Sequence, residues 1–231
     1  MHLLPSFLTT LLITGTLAVP STGPRAATIA RAAQAVQPGN GTNGGFYYYF
    51  WSDRAGPVTY NNLEGGRYTV QWGNDTHKSG SFFAGKGWGF ESADNLKTVV
   101  YKGTWSTTGT GYVSLYGWMD GSRLEYYIVE DFGTFDPSTG LEKRASVTSD
   151  GGVYDVYIRR IVGPGLYQGI RTQVWSIRRT RRTEGTITPK DHFDAWQKLN
   201  VPLGKHDFAI LATEGYFSSG EADITVGERS T

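Results

Sequence analysis

Two glutamates in this chain stand in strands that otherwise read as aromatic and apolar. Residues 123–131 read RLEYYIVED, and the two-residue alternation of a strand puts Glu125, Tyr127 and Val129 on one face and Tyr126, Ile128 and Glu130 on the other. In residues 208–217 the same alternation groups Phe208, Ile210, Ala212, Glu214 and Tyr216, with Glu214 as the one acid in the run. A carboxylate carried into such a face is costly unless it is paired, hydrogen-bonded or functional. Two carboxylates held on facing strands in an aromatic cleft are the equipment for cleaving a glycosidic bond: one acid protonates the leaving oxygen while the other attacks or activates water. Tyr and Trp would supply flat walls on which sugar rings stack. Ion pairs with two of the chain's many arginines would satisfy the same acids, and spacing alone does not separate the two readings.

The elements that must position these acids are short strands. From Phe46 to Thr225 the chain breaks into runs such as FYYYFW, RYTVQW, GSFFAGKGW, KTVVYKGTW, YVSLYGW, RLEYYIVEDF, VYDVYIRRI, RTQVWSIRR, HDFAILATEGYF and ADITV, separated by turn residues. One helix is predicted over residues 188–199, where Thr188 or Asp191 can cap, Pro189 sits early, and Phe193, Trp196 and Leu199 share a face. About ten strands and one short helix predict an all-β fold, a curved two-sheet antiparallel β-sandwich of jelly-roll type. The composition agrees, with 31 Gly, 14 Tyr, 11 Phe and 7 Trp but only 2 Met among 231 residues.

Composition also excludes functions. With no Cys and 4 His, thiolate metal sites, Fe–S clusters, a Cys nucleophile and a disulfide scaffold are ruled out, and no metal or other cofactor is expected. A formal charge of +1 gives no global attraction to nucleic acid or to an anionic bilayer, so neither is expected as a partner. The basic run Arg178-Arg179-Thr180-Arg181-Arg182 beside Trp175 could form a nucleic-acid patch, but reads better as a solvated strand face. Residues 3–19 are apolar, yet Pro5, Gly15 and several Thr interrupt them, which fits a secretory signal over residues 1–18 rather than a membrane span. Residues 19–44, rich in Ala, Pro, Gly and Thr, read as a pro-segment or flexible leader, and residues 45–228 as the folded domain. Sequons at Asn40-Gly41-Thr42 and Asn74-Asp75-Thr76 are consistent with a secreted, extracellular glycoprotein.

Several ordered blocks carry a resemblance. Tyr116-Gly117-Trp118, Glu125-Tyr126-Tyr127-Ile128-Val129-Glu130, Pro137-Ser138-Thr139-Gly140, Val147-Thr148-Ser149-Asp150-Gly151 and Glu214-Gly215-Tyr216-Phe217-Ser218-Ser219-Gly220 closely resemble the family 11 glycoside hydrolases, the small endo-1,4-β-xylanases. Gly85-Lys86-Gly87-Trp88 and His192-Phe193-Asp194-Ala195-Trp196 extend it over nearly all of residues 45–226. The resemblance implies a jelly roll whose cleft cuts internal bonds of xylan with retention, acting on xylan and xylooligosaccharides as a monomer. It implies Glu125 as nucleophile and Glu214 as acid/base, which the mechanism needs about 5–5.5 Å apart. It further implies Tyr116 and Tyr127 as hydroxyls that orient Glu125 and the sugar, Trp51 as the stacking ring on the non-reducing side, Tyr112 on the other side, and Arg160 and Gln173 as partners for sugar hydroxyls.

Four departures from that pattern bear on function. Ser81 stands where the family has Asn or Asp beside the acid/base. Phe208 takes the place of a substrate-binding Tyr. The hairpin tip at residues 164–169 reads PGLYQG and is shortened, and Ser122-Arg123-Leu124 replaces a Pro-Leu pairing. These departures leave an alternative to the xylanase: a weakly active or inactive xylan-binding, elicitor-like protein on the same scaffold.

Overall fold

A computed structural model describes residues 35–73, 77, 79–95, 98–163 and 169–229. In chain order the strands are β1 (Ala35–Val36), β2 (Gly39–Asn43), β3 (Phe46–Ser52), β4 (Val58–Asn62), β5 (Arg67–Trp72), β6 (Ser81–Gly89), β7 (Thr98–Thr107), β8 (Thr110–Asp120), β9 (Leu124–Phe132), β10 (Lys143–Ser149), β11 (Gly152–Gly163), β12 (Gly169–Arg178), β13 (Gly185–Ile187), β14 (Lys205–Tyr216) and β15 (Gly220–Arg229). A single turn of helix, α1 (Glu91–Asp94), follows β6, and α2 (Pro189–Lys198) follows β13. Each of the ten apolar runs is a strand, and α2 occupies the predicted helix, with Pro189 at its first turn. Thr188 precedes α2 without capping it, because its hydroxyl and amide both donate to Asp150.

The strands form a six-stranded sheet, ordered β1-β4-β5-β15-β7-β13, and a nine-stranded sheet, ordered β10-β11-β12-β9-β8-β14-β6-β3-β2. All pairings are antiparallel except β12 with β9, which is parallel. The two-sheet all-β fold expected from sequence is thus the fold observed. The sheets begin earlier than composition predicted. Residues 35–43, assigned to a leader, include β1 and β2, which pair with β4 and β3 as outer strands, β1 a two-residue apolar one and β2 a polar one. The expected signal, most of the leader, the Asn74 sequon and the hairpin tip at 164–168 lie outside the described residues. Among the described residues no helix is long and apolar enough to cross a membrane.

Two apolar clusters sit on opposite faces of the nine-stranded sheet. The larger fills the space between the sheets, with Tyr60, Tyr68, Val70 and Trp72 facing Phe50, Phe82, Leu115, Tyr126 and Leu211. The smaller covers the other face and holds Phe83, Tyr112, Tyr116, Trp118, Tyr127, Trp175 and Phe208. That division explains why runs such as YYIV are apolar at every position: alternate residues serve two different clusters. Gly85 lets β6 lie close to β14, since a Cβ there would run into the Leu211 carbonyl.

β9 is anchored from its core side by Glu130, which is fully buried. Tyr101 and Tyr154 donate to its two oxygens at 2.6 Å each, and Arg182 completes an ion pair. Arg178 also turns inward, donating to Tyr154 Oη at 2.8 Å, while Arg179 pairs with Asp155 at 2.9 Å. The basic run is therefore a solvated face only in part: Arg179 and Arg181 are exposed, while Arg178 and Arg182 are committed to the core network behind β9. Removing one partner of a buried pair leaves an uncompensated charge, so Arg182→Leu is expected to lower the unfolding free energy by about 3 kcal/mol or more. Arg181→Leu, whose guanidinium is exposed and 3.8 Å from Asp131, should cost under about 1 kcal/mol. Urea midpoints of the two variants check this ordering.

Candidate active site

Strand register brings the predicted residues together. Glu125 in β9 lies opposite Trp118 of β8 on one side and Gln173 of β12 on the other. Tyr127 lies opposite Tyr116 and Trp175 in the same two strands. Glu214 in β14 faces Tyr112 of β8 and Phe83 of β6. Because all of these share one parity, their side chains rise from the same face of the sheet. All of them but Tyr112 and Trp175 line a cavity of about 550 Å³ together with Trp51, Ser81, Arg171 and Tyr216. A second cavity of about 470 Å³ adjoins it, lined by Tyr112, Tyr127, Trp175 and Tyr216 and by Phe135, Pro137, Arg159 and Ile161.

The carboxylate of Glu125 is 5% exposed and receives four donors. Oε1 accepts from Tyr127 Oη at 2.8 Å and from Tyr116 Oη at 3.2 Å; Oε2 accepts from Gln173 Nε2 at 2.6 Å and from Arg171 Nε at 3.0 Å. Among the described residues all four of its partners donate, so both oxygens serve as acceptors. Burial first, and then the charges of Glu125 and Glu214, push the hydroxyls of Tyr116 and Tyr127 well above their usual range, which keeps both as donors. Trp118 Nε1 donates to Tyr116 Oη at 2.6 Å and fixes that hydroxyl. Trp175 lies flat on Tyr127 with centroids 3.7 Å apart.

Glu214 has the opposite environment. It is 2% exposed, its Oε2 accepts one hydrogen bond from Tyr216 Oη at 3.0 Å, and its Oε1 has no partner among the described residues. Burial raises its pKa to about 8, the Tyr216 hydrogen bond opposes that rise, and the charge on Glu125 adds to it. At neutral pH Glu214 therefore carries its proton. Two carboxyl groups in one cavity thus have unlike surroundings: four donors on Glu125, and burial with a single donor on Glu214.

A model of Glycosyl hydrolases family 11 matches residues 43–225. The chain belongs to glycosyl hydrolase family 11. It is 49% identical over 189 residues to Ethylene-inducing xylanase 1 of Botryotinia fuckeliana, an alignment covering 81% of this chain and 65% of that protein. It is 47% identical over 188 residues to Probable endo-1,4-beta-xylanase B of Aspergillus clavatus, covering 80% and 82% of the two chains. It is 44% identical over 195 residues to Endo-1,4-beta-xylanase B of Phanerodontia chrysosporium, covering 84% and 65%. The chain thus spans about two thirds of the length of some of these relatives.

Within this family 11 site the sequence-derived residues fall into three groups. Glu125, Glu214, Trp51, Tyr116, Tyr127 and Gln173 line the first cavity, and Tyr112 lines the second. Trp51 is 42% exposed and stacks on Phe83. Phe208 lies beneath, 4% exposed among Tyr47, Tyr49 and Tyr116, so it packs the floor and lines neither cavity.

Ser81 lines the cavity, and its amide donates to Asp53 Oδ2 at 2.8 Å. The hydroxyl that meets Glu214 comes instead from Tyr216, the cross-strand partner of Ser81. Arg160 is a correction. It pairs with Thr172 and shares the parity of Tyr154 and Val156, which face the core, so its exposed guanidinium lies off the cavity face. Arg159 and Arg171 occupy the cavity face in its place, and Arg171 is the functional residue that sequence reasoning missed. Hairpin alternation from Gln173 would have marked both, since Arg159 pairs with Gln173 and Ile161 with Arg171. Among the described residues no three His, Asp or Glu side chains converge as a metal site requires.

A buried carboxyl with a raised pKa binds its proton more tightly in the folded chain, so its contribution to stability is complete below about 4.5 and is lost as pH rises through about 8. Between those values stability falls by up to about 1.4 kcal/mol per pH unit from this group. Glu214→Gln carries no such proton and should lose that slope. Urea unfolding of both proteins at pH 5 and pH 8 measures it: the stability difference between variant and parent should grow in the variant's favour at the higher pH.

Proposed function

We propose that the chain is an endo-1,4-β-xylanase that hydrolyses internal bonds of xylan with retention of configuration, with Glu125 as nucleophile and Glu214 as acid/base. The observation that carries this reading is the unequal treatment of the two glutamates: four donors on one, and a buried, raised, half-unpartnered carboxyl on the other. In the first step a Glu125 oxygen attacks the anomeric carbon while Glu214 gives its proton to the departing sugar oxygen, so an ester forms as the glycosidic bond breaks. Ester formation removes the negative charge of Glu125 and with it that part of the elevation at Glu214. Glu214, now deprotonated, takes a proton from water as the water opens the ester. Trp51 offers a stacking face for a sugar on one side of the pair, and Tyr112 and Trp175 do so on the other. The family membership and the names of the relatives support the same substrate, and we propose a secreted monomer with no nucleic-acid or membrane partner.

A second reading is a weakly active xylan-binding protein that acts as an elicitor. It draws on Phe208, which brings no hydroxyl to the cavity floor, and on relatives named ethylene-inducing xylanase. Release of reducing sugar from xylan separates the two readings.

Glu125→Gln should reduce turnover to background, because an amide cannot form the glycosyl ester, while leaving binding of xylooligosaccharides in place. Glu214→Gln should lose about 10²–10⁴-fold on xylan and far less on aryl xylosides whose leaving groups need no proton. Equal losses on both substrates would remove the acid from Glu214. Trp51→Ala should weaken binding of long xylooligosaccharides by about 1 kcal/mol, roughly fivefold in Kd by calorimetry.

A further inference from the structure

The second cavity contains a cation that the proposed chemistry does not use. Arg159 lines it from β11, is exposed, and makes no hydrogen bond, ion pair or ring contact among the described residues. Its neighbours in the wall are Ile161 on its own strand and Phe135 and Pro137 on the opposite bank. The other guanidinium in this cavity, that of Arg171, is committed to Glu125. Asp136 is the nearby acid, felt by the Tyr112 hydroxyl, but its Oδ1 is already engaged by the amide and hydroxyl of Ser138 in its own turn.

A backbone of xylose units is neutral: its hydroxyls can accept from a guanidinium, but it has no charge to pair with one. An acidic branch has. A guanidinium presents parallel N–H donors that match a carboxylate, and here it sits above apolar and aromatic surface on which the rest of a sugar ring can lie. We propose that Arg159 is a specificity-determining residue that receives the carboxylate of a uronic acid branch on the xylan chain, on the side of the glutamate pair away from Trp51. The inference rests on the xylanase reading and deepens it. Since that side holds the leaving portion of the substrate, the acidic branch ends up on the fragment that carries the new non-reducing end.

The test compares kcat/KM on a glucuronoxylan with kcat/KM on the same polymer after chemical reduction of its carboxyl groups to alcohols. An exposed pair of this kind is worth about a two- to fivefold preference, weakened by salt. The parent protein should prefer the acidic polymer by that factor at low ionic strength. Arg159→Gln should lose the preference, and Arg159→Lys, which keeps the charge, should retain part of it. Acidic products of the parent should carry the branch near their non-reducing ends, and those of Arg159→Gln should shift away from that pattern. The same ratio in the parent and Arg159→Gln, with an unchanged product pattern, overturns the role of Arg159 while leaving the xylanase reading intact. A protein inert on both polymers overturns both.

Discussion

The carboxylate of Glu125 is reached by donors from three adjacent strands, and that convergence constrains the rest of the molecule. Tyr127 comes from its own strand, Tyr116 from β8, and Gln173 and Arg171 from β12. A buried anion held this way is stable only while the strands keep their register, because a slip of one residue in β8 or β12 would turn that strand's donors to the other face. The β9–β12 pairing is the one parallel contact in the sheet and supplies half of the donors. On the reverse side of β9, the Glu130 network with Tyr101, Tyr154 and Arg182 fixes the same strand against the core. One strand thus carries two buried acids, one for each face, and each is satisfied by a different set of neighbours.

Glu214 draws its character from what the sheet withholds. One hydrogen bond, from Tyr216, is set against nearly complete burial and a nearby negative charge. The first cause of its raised pKa, burial, belongs to the fold; the second, the Glu125 charge, would come and go with the covalent step of the proposed mechanism. In that proposed mechanism burial gives Glu214 a proton to donate, and loss of the neighbouring charge lets it accept one afterwards.

Much of this arrangement is legible in the chain because a strand face is a period of two. The assignment of Glu125 and Tyr127 to one face and Tyr126 and Glu130 to the other needs no more than that, and it is how β9 lies. What escaped reading has physical reasons. β2 (GNGTN) and β10 (KRASVTS) are outer strands: β2 has no apolar residue, and the alternation in β10 rests on Ala145 and Val147 alone, too short a signal to detect. Alternation from Gln173 marks the face of Arg171, but the parallel pairing that brings that face beside Glu125, 46 positions away, is encoded in no local pattern. Arg160 was placed by motif, whereas its parity with the core residues Tyr154 and Val156 sends it to the wrong side. Ser81 lies across from Tyr216, and the longer side chain of that pair makes the contact to Glu214.

The central claim is that one sheet face holds two glutamates in different protonation states, with the charge on one helping to keep the proton on the other. A carbon-13 NMR titration of the Glu214 side-chain carboxyl, run on the parent and on Glu125→Gln, measures this directly. The expected result is a pKa of about 8 in the parent, and a lower value, still above the ordinary carboxyl range, once the Glu125 charge is gone. A Glu214 carboxyl that titrates near 4.5 in the parent, or one that does not move in Glu125→Gln, would contradict it.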